Sequence, residues 1–323
     1  MRYLAIDFTK GILICLMVMF HLHYYGTFMP QVVDPFVYSF HVSSFMLISG
    51  FLFKPEKAWV TFWHSYKYLL LLYLVFNVTD YVLVATVGKT LGSSAQLELG
   101  WNDLLRVIFI SPAGAYWYIH SLLWMYLAYW LIYKLPVDLI GEGGKVILLF
   151  IVIWVININD KLPWNIYFAV GALMRVLSTK YENIINIFLP TWVASIPLVL
   201  IAFFTTRFSS LSPTGFATVL CFISMMMWIA MKFDNKGIIK FFSYIGRNTL
   251  PILLFSPFLT ILSTMWHQLF VFDKSEVVYG LFSTAAVVTL CLLSAYVWDK
   301  LKLNKLFGRN LYVHYSVNEN RSI

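Results

Sequence analysis

Runs of up to about twenty apolar residues, recurring along most of the chain, are the feature that most restricts how this sequence can fold. At 1.5 Å per residue, a helix of that length crosses the roughly 30 Å hydrocarbon core of a bilayer, and it pairs every backbone N–H and C=O within its own segment. The runs are unbroken instead of alternating, which disfavours a β-barrel. With 60% of residues hydrophobic and 12% charged, and a mean hydropathy of +0.77, the chain lacks the polar surface of a water-soluble domain. The expected fold class is all-α: a polytopic membrane helix bundle of about ten transmembrane helices.

Ten apolar windows carry this expectation: Gly11 to Tyr25, Val33 to Phe53, Tyr66 to Val87, Tyr116 to Leu135, Val146 to Val155, Trp164 to Leu177, Ile185 to Phe204, Phe216 to Met231, Leu250 to Leu269 and Val277 to Leu301. With the N-terminus inside, five of the 23 basic residues fall in outer loops (Lys89, Arg106, Lys161, Arg207 and Lys274) and the other 18 fall on the cytoplasmic side. This positive-inside bias favours an even number of spans with both ends cytoplasmic. Basic loops beside anionic lipid also account for the net charge of +8, so nucleic acid is not an expected partner and membrane lipid is. A single membrane domain is expected over residues 1–310, with a short cytoplasmic tail over 311–323.

Cys15, Cys221 and Cys291 lie inside apolar runs, without the spacing of a metal or redox pair, and read as packing residues with no metal site. No small-x-small cleavage site follows the first run, which reads as the first span and not as a leader. In the longest outer connection, the segment from Trp101 to Ile110 has the pattern of a short amphipathic helix at the interface. No internal repeat of the kind seen in transporters is visible.

Ionisable side chains inside hydrocarbon are costly, which makes each one a functional candidate. Lys10 and His21 are eleven residues apart, about 1,100° of helical rotation or about 20° past three turns, so they face one way. Asp7 lies within about 60° of Lys10, and the imidazole sits about 16 Å deeper than the lysine. His23 points about 160° away and is left out. A lysine at the mouth suits an anionic donor, and a neutral histidine at depth suits removal of a hydroxyl proton. An interfacial Asp7–Lys10 ion pair with His21 snorkelling outward is the alternative. In the second window, His41 lies mid-span and needs a partner, while Ser49–Gly50 is a small pair suited to an acyl chain or simply to a neighbouring helix. Asp80, near Asn77 and Thr79, is expensive unless paired, with His21, His41 and His120 as available partners. Arg106 and Arg175 read as interface anchors or phosphate ligands, and Trp117 as an interface aromatic or a site residue.

These residues carry a resemblance. The segment from Arg2 to Gly11 with Asp7 and Lys10, followed ten residues later by His21, resembles the opening motif of acyltransferase family 3, the polytopic membrane O-acyltransferases. Lysine at position 10, where most members have arginine, is similar to the fucose 4-O-acetylase-like branch. Phe40-His41 followed by Ser49-Gly50-Phe51 resembles the family's second-span block, with Ser43 in place of its usual proline. Weaker echoes are the segments Tyr116 to Leu123, Tyr167 to Ala172 and Ile245 to Leu250; the histidine that commonly follows the last is absent.

The resemblance implies transfer of an acetyl group from acetyl-CoA to a sugar hydroxyl of a surface or lipid-linked glycan, in a bacterial plasma membrane. Acetyl-CoA enters as a donor substrate, with no bound cofactor. His21 and His41 would be the catalytic pair, with His21 as general base. Asp7, Lys10, Ser49, Gly50, Asp80 and Trp117 would bind donor or acceptor. A transporter or flippase for a lipid-linked sugar is the alternative. A glycan polymerase is disfavoured because the longest outer loop carries only Lys89 and Arg106.

Overall fold

The computed structural model describes residues 3–22, 33–87, 99–135, 141–156, 161–179, 184–204, 209–307 and Val313. Arg2, His23, Lys89, Lys180, Arg207, Arg309, Arg321 and, apart from Val313, the 311–323 tail lie outside the described residues. Twelve α-helices are present among the described residues: α1 (Leu4–Phe20), α2 (Val33–Leu52), α3 (Trp59–Val87), α4 (Trp101–Phe109), α5 (Trp117–Lys134), α6 (Gly141–Ile156), α7 (Leu162–Ser178), α8 (Ser195–Phe204), α9 (Pro213–Lys232), α10 (Gly237–Arg247), α11 (Thr249–Leu262) and α12 (Val277–Lys300).

Each of the ten apolar windows overlaps a helix, but residues 23–25 of the first lie outside the described residues, and the seventh opens with two short 3-10 turns, Ile184–Phe188 and Trp192–Ala194, before α8. Six helical stretches, 35–52, 59–86, 184–204, 213–232, 249–270 and 277–300, are long and apolar enough to cross a membrane. The other four windows fall on α1, α5, α6 and α7, which are 17, 18, 16 and 17 residues long and fall short in length or apolar character. The protein is a multi-pass, all-helical membrane protein.

Two helix pairs form the centre, and glycine builds both. α1 and α10 approach backbone to backbone: a methyl group on Gly11 would overlap the Phe242 carbonyl, and one on Gly246 would overlap the Asp7 carbonyl. α2 and α7 do the same, with Gly50 against the Phe168 carbonyl and Gly171 against the Leu47 carbonyl. Without a hydrophobic drive between helices in lipid, such close van der Waals approach is what joins them.

The amphipathic segment after α3 is α4. Its Trp101, Leu105 and Phe109 are exposed and Val107 is buried. Side chains of α3 hold it in place. Tyr73 Oη donates to the Ile108 carbonyl at 2.7 Å, Asn77 Nδ2 donates to Val107 O at 3.0 Å, and Asn77 Oδ1 accepts from the Ala113 N–H at 2.9 Å.

Two boundaries differ from the sequence reading. α1 starts at Leu4, not Gly11, because its charged first turns are packed under α10 instead of lying in water, with Asp7 6% exposed. The stretch taken as a basic cytoplasmic loop contains α10, whose Ile239, Ser243 and Gly246 recur at helical spacing and are buried.

Candidate functional site

A cavity of about 260 Å³ runs beside α1. Three helices each present one stripe to it. α1 contributes Lys10, Ile14, Met17 and then His21 at its end; α2 contributes Val42, Phe45 and Ser49; and α5 contributes Tyr118, Leu122 and Tyr126. The spacings of three and four residues put each set on one helical face. Thr249 and Leu250 close the wall from the start of α11, and Trp117 lines it from the start of α5. Lys10 and His21 therefore border one space, separated by about 16 Å of helix rise.

α1 ends at Phe20, so His21 is the capping residue and is exposed at the helix terminus. Its Nδ1 lies 2.8 Å from the Met17 carbonyl. A carbonyl can only accept, so Nδ1 carries the proton and, in the neutral ring, Nε2 carries the lone pair. That is the tautomer a general base needs.

His41 has the same geometry twenty residues later, with Nδ1 2.8 Å from the Val37 carbonyl. It does not line the cavity. The side chain is fully buried, and among the described residues Nε2 has no hydrogen-bond partner. Tyr38 lies between the two imidazoles, with ring centroids 5.0 Å from His41 and 6.2 Å from His21, and its hydroxyl donates to the Phe20 carbonyl at 3.0 Å. His41 and His21 thus both contact the Tyr38 ring.

The other candidates divide. Ser49 lines the cavity, with Oγ 3.1 Å from Tyr118 Oη. Gly50 faces away from it, against α7. The Trp117 and Trp164 rings are tilted at 49° with centroids 5.2 Å apart, and the Lys161 ammonium sits 5.1 Å from the Trp117 ring centroid. Asp80 is buried near the bend at Gly114, whose φ is +48°. The Nε2 of His120, one of the partners expected for Asp80, accepts from Trp124 Nε1 at 3.0 Å. Arg175 is an anchor: Nη1 donates to the Phe51 carbonyl at 3.3 Å, and Nη2 is 3.8 Å from Glu56.

Asp7 accepts from Arg247 Nε at 3.2 Å, and both side chains are nearly inaccessible. This pair ties the corner between α10 and α11 to α1 and so brings Thr249 and Leu250 to the cavity wall. Arg247 was missed as a site-building residue because its basic segment read as a loop. The Gly246-Arg247-Asn248-Thr249 run was the available signal. Tyr118 and Tyr126 carried no signal of their own, since a tyrosine in a span reads as packing until its neighbours are known.

The fold and site define a membrane helix bundle with a cavity that carries a cation and an accessible imidazole inside apolar walls, the setting of a membrane group-transfer enzyme. A family model described as an acyltransferase domain matches residues 3–296, nearly the whole chain. The chain belongs to acyltransferase family 3 and is a membrane acyltransferase. No curated protein and no solved structure matches it.

Proposed function

We propose that the protein is a membrane O-acetyltransferase that moves the acetyl group of acetyl-CoA to a sugar hydroxyl of a surface or lipid-linked glycan. The observation that carries this reading is that Lys10 and His21 line one cavity. Lysine at position 10 supports the fucose 4-O-acetylase-like branch. The basic bias of alternate connections supports ten spans with both termini cytoplasmic, in a bacterial plasma membrane.

In this reading the thioester lies beside His21. Nε2 takes the proton from the acceptor hydroxyl as its oxygen attacks the thioester carbonyl, and the bond between carbonyl carbon and sulfur breaks. The imidazolium returns the proton to the departing thiolate, so the products are the O-acetyl sugar and the free thiol. The bond from Nδ1–H to Met17 keeps the ring in the reactive tautomer and stabilises the imidazolium. Tyr38, backed by His41, fixes the turn at Phe20 on which the imidazole stands.

Purified protein in nanodiscs, supplied with isotopically labelled acetyl-CoA and glycan from cells lacking it, tests this. Labelled acetyl on the glycan, with release of one thiol per acetyl, is expected. Absence of label with intact, monodisperse protein contradicts the proposal, as does glycan that carries the same acetyl content in cells with and without the protein.

A further inference from the structure

The space beside α1 continues past Ser49. A second cavity of about 240 Å³ adjoins it and shares Ser49, Leu52, Leu69, Tyr126 and Leu250. Its remaining wall adds charge to an aromatic lining: beside Phe53, Phe62 and Tyr68, Lys54 and Lys57 come from the turn after α2, and Ser65 and Tyr66 from α3. Glu56, the acid of that turn, does not line it and instead lies 3.8 Å from Arg175. The shared wall, or waist, sets two hydroxyls, those of Ser49 and Tyr126, among three leucines, and Ser49 Oγ lies 3.1 Å from Tyr118 Oη on the side of the first cavity.

Two ammonium groups at one end, a hydroxyl-bearing waist and an apolar chamber with an imidazole at the far end describe a ligand in three parts. The first is anionic, the second is a narrow arm with amides to satisfy, and the third is the reacting group. From Tyr38, beside His21, to Leu52 at the waist is about 21 Å along α2, and an extended phosphopantetheine arm covers a span of that order. A phospholipid meets the lysines equally well but has no amides to take up the remaining hydrogen-bonding capacity of the Ser49, Tyr118 and Tyr126 hydroxyls.

We infer that the second chamber holds the phosphate-bearing end of the acyl donor, with Lys54 and Lys57 on phosphate oxygens and the Ser49, Tyr118 and Tyr126 hydroxyls on the amides of its arm. This rests on the donor reading above and moves the main phosphate contact from Lys10 to the turn after α2. Charge-assisted bonds from lysine to phosphate are the strong ones in such a site.

The test is titration calorimetry on full-length protein in phosphatidylcholine nanodiscs, with acetyl-CoA and with acetyl-pantetheine, which lacks every phosphate. The double variant Lys54→Ala, Lys57→Ala loses at least about tenfold in affinity for acetyl-CoA and keeps wild-type affinity for acetyl-pantetheine. Lys54→Arg, Lys57→Arg retains both, and Tyr118→Phe weakens both ligands by a similar factor. A double alanine variant that binds acetyl-CoA as tightly as wild type overturns the inference and leaves the donor reading intact. Wild-type protein that binds neither ligand overturns both. Loss of co-purified phosphatidylglycerol from the alanine variant, with acetyl-CoA affinity unchanged, assigns the lysines to a lipid headgroup and also overturns the inference.

Discussion

Arg247 and Asp7, 240 residues apart in the chain, meet with Nε 3.2 Å from Oδ2 in the contact between α10 and α1. Both side chains are nearly out of reach of solvent, and removing one partner takes a countercharge from a buried group, at a cost of about 3–5 kcal/mol. Arg247→Met and Asp7→Leu are each expected to lower the unfolding midpoint in detergent markedly, and the double variant to lose less than the sum of the two. Strictly additive losses would show that the pair is not coupled.

The glycine contacts make a second expectation. A methyl group at Gly246 or Gly171 meets backbone carbonyl atoms of the opposing helix, which cannot rotate aside. Gly246→Ala and Gly171→Ala should each cost about 1–3 kcal/mol by forcing the helices apart. Gly143→Ala, with nothing near its Cβ position, is the control and should be at least as stable as wild type. Thermal unfolding of the three variants side by side decides it.

Asn77 joins α3 to α4 through both ends of its amide, to Val107 O and from the Ala113 N–H. Asn77→Leu leaves the buried Ala113 N–H without its acceptor, at about 1–3 kcal/mol, and leaves the Val107 carbonyl with the 3.3 Å bond from Tyr73 Oη. The expected effect is local: faster amide exchange over residues 101–113, with little change in α1 and α2. Exchange that rises equally throughout the bundle would contradict the local clamp.

How much of this was visible in sequence depends on the residue. Apolar length alone located a helix in every one of the ten windows, and the alternation of polar and apolar residues in 101–110 located α4. α10 was not visible, since Lys240 and Arg247 within its eleven residues, with Lys236 just ahead of them, give a loop-like charge and its apolar face has meaning only against Gly11. The side shared by Lys10 and His21 followed from helical rotation. The end of the helix at Phe20 did not, because capping by His21 depends on the Met17 carbonyl and on Tyr38 from α2. Gly50 shows the ambiguity of small residues, which serve a cavity or a helix contact equally well in sequence; here it serves α7. The walls contributed by α5 and α11 are tertiary facts, set by the Asp7–Arg247 pair and by the contact of Ser49 with Tyr118.

The imidazole of His21, on the same cavity as Lys10, is the centre of the account, and its removal is the most direct test. His21→Ala and His21→Gln, reconstituted beside wild type at matched unfolding midpoints, are to be compared for the rate of acetyl transfer from labelled acetyl-CoA to glycan. The account predicts a loss of at least about 10²-fold in turnover, the scale of a positioned general base, with binding of acetyl-CoA changed little. Turnover within a fewfold of wild type in both variants would contradict it.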